Sequence, residues 1–402
     1  MRVVWFCHFS LQFLKDKIEL DLSNYQDHAA TWIYYLAEAL GKHTDITLHI
    51  ISLSSYINED LVITDKNLAY HILSDVPPRS KSKVLNKILT VVRTYKRYLL
   101  KKQTRSIIKK INPDLITIHG TEHAFGKWIK DGRRIPVVIW MQGVMNFAYR
   151  NQHNKASKTL KKQELEIFRN HKYYVSKKGN METFIRQYNN KAIFFNIFYP
   201  VAPRCFKIGL DRPSQVYDFI FAGTLIKRKG IEDFLSALSN IKANKIPFTA
   251  VIVGGTSDEQ YYSYVQNMSK ELNLDENLTF TGTLPKHDQV LEYISKSGIL
   301  VLPTYADTAP VVVAESQACK TGVIAYDVDG VPGMIEHDKT GMLVELFNVK
   351  MLAETMIALL GDKKKLDTIV ETARSHAEQM YHPDLVANKT KELYNYLFNK
   401  KI

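Results

Sequence analysis

Asp307 and Glu315 stand eight positions apart in LPTYADTAPVVVAESQAC, with Pro310 and a run of valines between them. Ionised carboxylates only accept hydrogen bonds, so a spaced pair suits a ligand rich in hydroxyls, such as a ribose or a hexose. Further upstream, AGTLIKRKGIEDF carries Arg228 and Lys229 between Gly223 and Gly230. Two cations beside the free N–H groups of a helix start make an anion site. A diphosphate fits it, with the guanidinium binding in bidentate fashion and the ammonium acting as a point charge. Each feature alone also has an ordinary reading. A Lys/Arg pair before a helix is a common surface feature, Asp307 could be a capping acid, and Glu315 a solvated position.

These residues need strands to deliver them. RVVWFCHF, DITLHIISL, DLITIHG and PVVIWMQG read as strands in the first half, and AATWIYYLAEAL as a helix. The rhythm restarts with YDFIFAG, FTAVIVGG, NLTFTGTL, GILVLPT and GVIAYDV, separated by helical stretches. Alternation of this kind implies parallel sheets covered on both faces, with a linker near Tyr199 to Val216. Ligands of such sheets bind beyond the carboxyl ends of the strands, which points to the loops that hold the acids and the cations. Pro310 belongs in the first turn of a helix and Thr308 is a good N-cap, so the sequence predicts a helix from about Ala309. The N–H groups of Val311 and Val312 would then be exposed at its start.

Neither a Walker A loop nor GxGxxG after a strand is present, which removes the P-loop NTPase and NAD readings. The DVD at Asp327–Asp329 imitates a metal motif but reads as a loop, and no metal is expected. The three cysteines, Cys7, Cys205 and Cys319, lie far apart, which fits a reducing cytoplasm. The N-terminus reads as a strand and not a signal peptide, and no apolar run is long enough to span a membrane. With 402 residues the chain suits two domains, and its net charge of +13 needs an explanation. From Val76 to Pro113 there is no acid at all. Val84, Ile88, Val92, Tyr95 and Leu99 recur there at helical spacing, so residues 79–110 read as one or two amphipathic helices with a cationic outer face. That face is either an ordinary solvated surface or a surface for anionic lipid. No nucleic-acid motif accompanies it.

FAGTLIKRKGIEDFLSAL, IVGG, LTFTGTL, ILVLPTYADTAPVVVAESQAC and DVDGVPGMIEHDKTGMLV, in this order, resemble the retaining glycosyltransferases of family 4. The likeness is strong over residues 215 to 345 and weaker before. It implies a GT-B fold, two Rossmann-like domains with a cleft between them. Residues 1–200 would form an acceptor-binding domain and 201–380 a nucleotide-sugar-binding domain, with a helix at 381–402 packing back on the first. By the family's acid–seven residues–acid pattern, Glu315 would bind the ribose of a UDP- or GDP-sugar and Asp307 hydroxyls of the transferred sugar. Gly223, Thr308, Ala309 and the amides of Val311 and Val312 would line the phosphate and sugar. Arg228 and Lys229 would neutralise the leaving diphosphate, and Thr283 and Leu284 would flank the base. Gln142 and His123 would face the sugar or acceptor. No further cofactor is implied.

The chain departs from the family in several places. Asp307 replaces the usual first Glu, Thr224 a usual Arg, Gln142 a common cleft His and Gly333 a frequent Glu. The function implied is transfer to a glycan acceptor during bacterial surface polysaccharide synthesis, and the basic first half, which suits a membrane surface, points to a lipid-linked acceptor. The enzyme would be cytoplasmic or peripheral at the inner face of the membrane. A sugar-nucleotide epimerase of the same fold and a non-enzymatic basic binding protein are the alternatives.

Overall fold

The computed structural model describes residues 1–20, 30–75, 83–122, 125–129, 135–148, 155–176 and 180–400. They divide into two units, the first built from Met1–Ser176, Glu182–Pro200 and the stretch from Pro383 on, the second mainly from Val201–His382.

In the first unit the strands are β1 (Arg2–Phe6), β2 (Thr47–Ser54), β3 (Leu61–Asp65), β4 (Leu68–Ser74), β5 (Leu115–His119), β6 (Val137–Trp140), β7 (Tyr173–Val175) and β8 (Ile193–Phe195). They form one sheet in the order β3-β4-β2-β1-β5-β6-β7-β8. β1 lies in the middle, with Trp5 opposite Ile50 on one side and Thr117 on the other. Only β3 runs antiparallel, paired with β4 through a tight turn at Lys66, whose φ is 53°. The helix Pro383–Asn399 also belongs to this unit. Its buried Tyr394 hydroxyl accepts hydrogen bonds from the Trp5 indole at 2.8 Å and the Thr117 hydroxyl at 3.1 Å. Lys42–Asp384 (2.6 Å) and Lys391–Asp45 (2.8 Å) pair on the surface around it. Tyr394→Phe leaves two buried donors without an acceptor, and is expected to cost about 1–3 kcal/mol in urea unfolding.

The long basic segment folds as a single helix, Lys83–Ile111. Residues 79–82 and the side chains of Val84 and Ile88 lie outside the described part. The face this helix buries is not the one the spacing suggested. Leu100 and Thr104 are buried, whereas Val92, Tyr95 and Leu99 are exposed, along with Tyr98. The sequence holds two apolar stripes, and the one running through Leu100, Thr104, Ile107 and Ile111 is turned inward. No helix among the described residues is long and apolar enough to cross a membrane.

In the second unit the strands are β9 (Tyr217–Ala222), β10 (Ala250–Val253), β11 (Leu278–Phe280), β12 (Ser297–Leu302), β13 (Gly322–Tyr326) and β14 (Met342–Val344). All neighbours are parallel, in the order β11-β10-β9-β12-β13-β14. Helices cover both faces, so β10, β12 and β13 are buried along their whole length and read as unbroken apolar runs. The stretch expected as a linker contains a helix, Pro203–Leu210, started by Pro203 at its first position. It is not a linker over those residues, because Cys205 and Phe206 are buried in the unit. Arg374 ties it down, with a donor to the Phe206 carbonyl (3.0 Å) and its guanidinium over the Phe206 ring.

Candidate active site

The order of the second sheet reverses between β9 and β12, since the chain builds outward from β9 on one side and then on the other. A crevice opens at the carboxyl ends of the strands at such a reversal. The loops there are those after β9, with Arg228 and Lys229, and after β12, with Asp307.

These two loops are locked together. Gly230 has a φ of +73°, and a Cβ built on it would lie 1.8 Å from the Pro303 carbonyl oxygen. Lys227–Lys229 form one turn of 3-10 helix ahead of it. The Arg228 carbonyl accepts from the Tyr305 N–H at 2.8 Å and the Thr304 hydroxyl at 3.2 Å. The Arg228 guanidinium donates to the Ala306 carbonyl, and the Lys229 ammonium pairs with the Asp307 carboxylate. Both side chains of that ion pair are largely covered, 19% and 14% exposed. On the other flank, Gly330 N–H donates to the Asp307 carbonyl at 3.0 Å, and a Cβ on Gly330 would strike the Thr308 carbonyl.

Asp233 reinforces the arrangement from the helix Ile231–Ala243, and sequence reasoning had not singled it out. It accepts from the Tyr305 hydroxyl at 2.9 Å and the Tyr326 hydroxyl at 2.7 Å. Burial, and then the neighbouring Asp233 carboxylate, push both phenols up, so they stay protonated donors.

The helix that carries Glu315 starts later than the sequence suggested. It spans Val311–Ala318 with Pro310 as its N-cap and no side-chain cap, so Thr308 and Ala309 lie in the loop before it. Proline fixes the backbone ahead of the helix but offers no side-chain acceptor to the first-turn amides. The amides of Val311 and Val312 therefore fall in the first turn, where no intrahelical carbonyl can reach them. Glu315 is buried on this helix, not solvated, and its Oε1 lies 2.8 Å from His287 Nε2. The carboxylate raises the His287 pKa above its ordinary 6.5, against the lowering effect of burial. A raised histidine pKa makes the pair's contribution to stability complete below about pH 6.5, and it is lost as the pH climbs through the folded-state value.

After β10 and β11 the chain comes close as well, with Gly254 bridged to Gly282. Thr283 is exposed and Leu284 half-buried; the Thr283 hydroxyl packs where a side chain on Gly255 would stand. Gly223, Arg228, Lys229, Asp307, Thr308, Ala309, Val311, Val312, Thr283 and Leu284 thus sit on loops or helix starts after the strands of one sheet, and Glu315 in the second turn of the helix Val311–Ala318. Gln142 belongs to the first unit, on the loop after β6. With its amide turned to suit its neighbours, it donates to Glu122 at 2.8 Å and accepts from the Trp32 indole at 3.2 Å. His123 lies outside the described residues. His119 is buried against Trp140 and Tyr199, and burial pulls its pKa down to about 3, so it stays neutral at physiological pH.

Residues 207–376 match the family model described as glycosyl transferases group 1. Among curated relatives, the chain is 24% identical over 168 residues to N-acetyl-alpha-D-glucosaminyl L-malate synthase of Bacillus anthracis, a stretch covering 42% of each protein. The match thus spans less than half the length of that relative. Sucrose-phosphate synthase from Thermosynechococcus elongatus shares the fold over 100% of both chains, with a TM-score of 0.73 at 19% identity. Anabaena HepE, solved in complex with UDP, does so over 98% of this chain and 100% of its own, with a TM-score of 0.66 at 14% identity. Residues 207–376 thus carry the likeness to glycosyl transferases group 1, and the whole chain has the GT-B fold that these solved structures share.

Proposed function

We propose that this protein is a retaining glycosyltransferase that moves a sugar from a UDP- or GDP-sugar to a hydroxyl of a glycan acceptor. Residues 201–380 take the nucleotide sugar and residues 1–200 the acceptor, with 381–402 completing the latter domain. The observation that carries this reading is the Lys229–Asp307 pair at the sheet reversal, beside the free amides of Val311 and Val312 and the buried Glu315. Lys229 and Asp307 hold each other's place: the ammonium that meets a carboxylate now would meet a phosphate, and the carboxylate would meet sugar hydroxyls.

Departure of the nucleotide diphosphate builds negative charge, which Arg228, Lys229 and the helix start stabilise. In retaining transfer of this kind the departing phosphate takes the acceptor proton on the same face, so no separate base is required. Glu315 accepts from the ribose hydroxyls, and Thr283 and Leu284 border the base. Gln142 and His123 serve the sugar or acceptor. The reading is tested by supplying UDP- and GDP-sugars with candidate acceptors. Free nucleotide diphosphate and a glycosylated product of unchanged anomeric configuration support it. A new nucleotide sugar without free diphosphate would mean an epimerase instead, and indifference to Glu315→Ala a binding protein.

The acceptor is lipid-linked in this reading, as in bacterial capsule or O-antigen assembly, and the protein sits peripherally at the inner face of the membrane. Its support is the helix Lys83–Ile111, which has no acidic residue and exposes Val92, Tyr95, Tyr98 and Leu99. Each basic residue near an acidic bilayer contributes about 1 kcal/mol. The protein is expected to float with vesicles containing phosphatidylglycerol and to stay behind with phosphatidylcholine alone. Equal behaviour with both would remove the membrane from this picture.

A further inference from the structure

Glu315 is an expensive residue to bury. Its side chain is 4% exposed, and its helix neighbours Ala314 and Ser316 are buried too. An ionised carboxylate so placed needs a fixed partner. Among the described residues the side chain that hydrogen-bonds it is His287, 28 positions earlier in the chain. His287 opens the helix His287–Ser295, and the turn before it is fixed by the Lys286 N–H donating to the Gln289 side chain at 3.2 Å. The next residue, Asp288, is held by Arg204, which also reaches Glu292 at 3.2 Å. The start of the helix that carries His287 is therefore held both by its own turn and by the helix Pro203–Leu210. The imidazole is also 32% exposed, so it forms the rim beside a carboxylate that is otherwise covered.

One carboxylate oxygen is thus engaged by His287 Nε2, and the other is left to accept from elsewhere. A hydrogen bond to one carboxylate oxygen favours one rotation about the terminal bond, which biases the direction of the remaining lone pairs. We propose that His287 is a positioning residue for the nucleotide: it holds Glu315 so that the free side of the carboxylate accepts the ribose hydroxyls, and it thereby sets the preference for ribose over deoxyribose. This rests on the reading of Glu315 as the ribose acceptor.

The test separates the two ideas. UDP and GDP, each beside its 2′-deoxy counterpart, are titrated into the wild type, Glu315→Ala, His287→Gln and His287→Asn. The amide nitrogen of Gln reaches about as far as histidine Nε2, whereas that of Asn reaches only as far as Nδ1. Both substitutions are polar and suit a half-exposed site. The wild type is expected to favour the ribonucleotide by about tenfold, the worth of one hydrogen bond to a charged group. That preference should vanish in Glu315→Ala, survive in His287→Gln and fall to near unity in His287→Asn. Full preference retained in both His287 variants, with none in Glu315→Ala, overturns the role of His287 and leaves the ribose site standing. A wild type without preference, or a Glu315→Ala variant that keeps it, overturns the ribose site and the positioning role together.

Discussion

Lys229→Ala is expected to lower kcat/KM for the nucleotide sugar by roughly 100- to 1000-fold, the usual loss when one fixed donor to a developing anion is removed. Two effects combine. The leaving diphosphate loses a positive charge in a partly covered site, where charges are weakly screened. Asp307 also loses the cation that holds it against the loop after β9. Lys229→Arg keeps the charge but not the shape of the ammonium, and should fall between the two. Stability should fall as well, by about 1–3 kcal/mol, because Asp307 is only 14% exposed and is left without its cation. Initial-rate kinetics with a melting curve on the same samples check both statements. A variant that turns over like the wild type takes Lys229 out of the leaving-group site.

Gly230→Ala should damage the same site by a different route. At a φ of +73°, any residue with a Cβ pays for the left-handed backbone, about 1–2 kcal/mol. Here the added carbon would also sit 1.8 Å from the Pro303 carbonyl, a backbone atom at the end of a central strand. One loop must yield, and the yielding loop carries either Lys229 or Asp307. We expect roughly 2–4 kcal/mol lost in urea unfolding, together with loss of nucleotide binding. Gly223→Ala is the control. Its φ is +153°, but nothing lies within 4 Å of the added carbon, so the damage should be smaller. Equal effects from the two substitutions would mean that the contact with Pro303 is not what matters.

Much of the architecture could be read from the chain because buried parallel strands have to be apolar throughout. YDFIFA, AVIV, GILVL and GVIAY announce themselves, and the ligand-facing loops must follow directly after them. What escaped was set by contacts that no local pattern carries. LVITDKNLAYHILS forms the β3–β4 hairpin around Lys66, a residue that enters the left-handed region without being glycine. The helix Pro203–Leu210 has too few turns to show a stripe and depends on Arg374, far away in sequence. In Lys83–Ile111 two stripes compete, and only packing decides between them. His287 and Asp233 lay in plain view beside the loops of interest. Their partners, Glu315 and the two tyrosines, are joined to them only through the fold.

The helix Pro383–Asn399 has a consequence for how the protein is made. Trp5 and Tyr394 are 389 positions apart, yet they share a buried hydrogen bond in the first unit. Synthesis proceeds at about 5–20 residues per second, so the indole waits on the order of 20–80 s for its partner to be translated. The second unit, being nearly continuous from Val201 to His382, has all its strands in hand before that moment. The unit whose strands are made earlier is therefore the one completed later, because its helix Pro383–Asn399 follows the whole of the second unit in the chain.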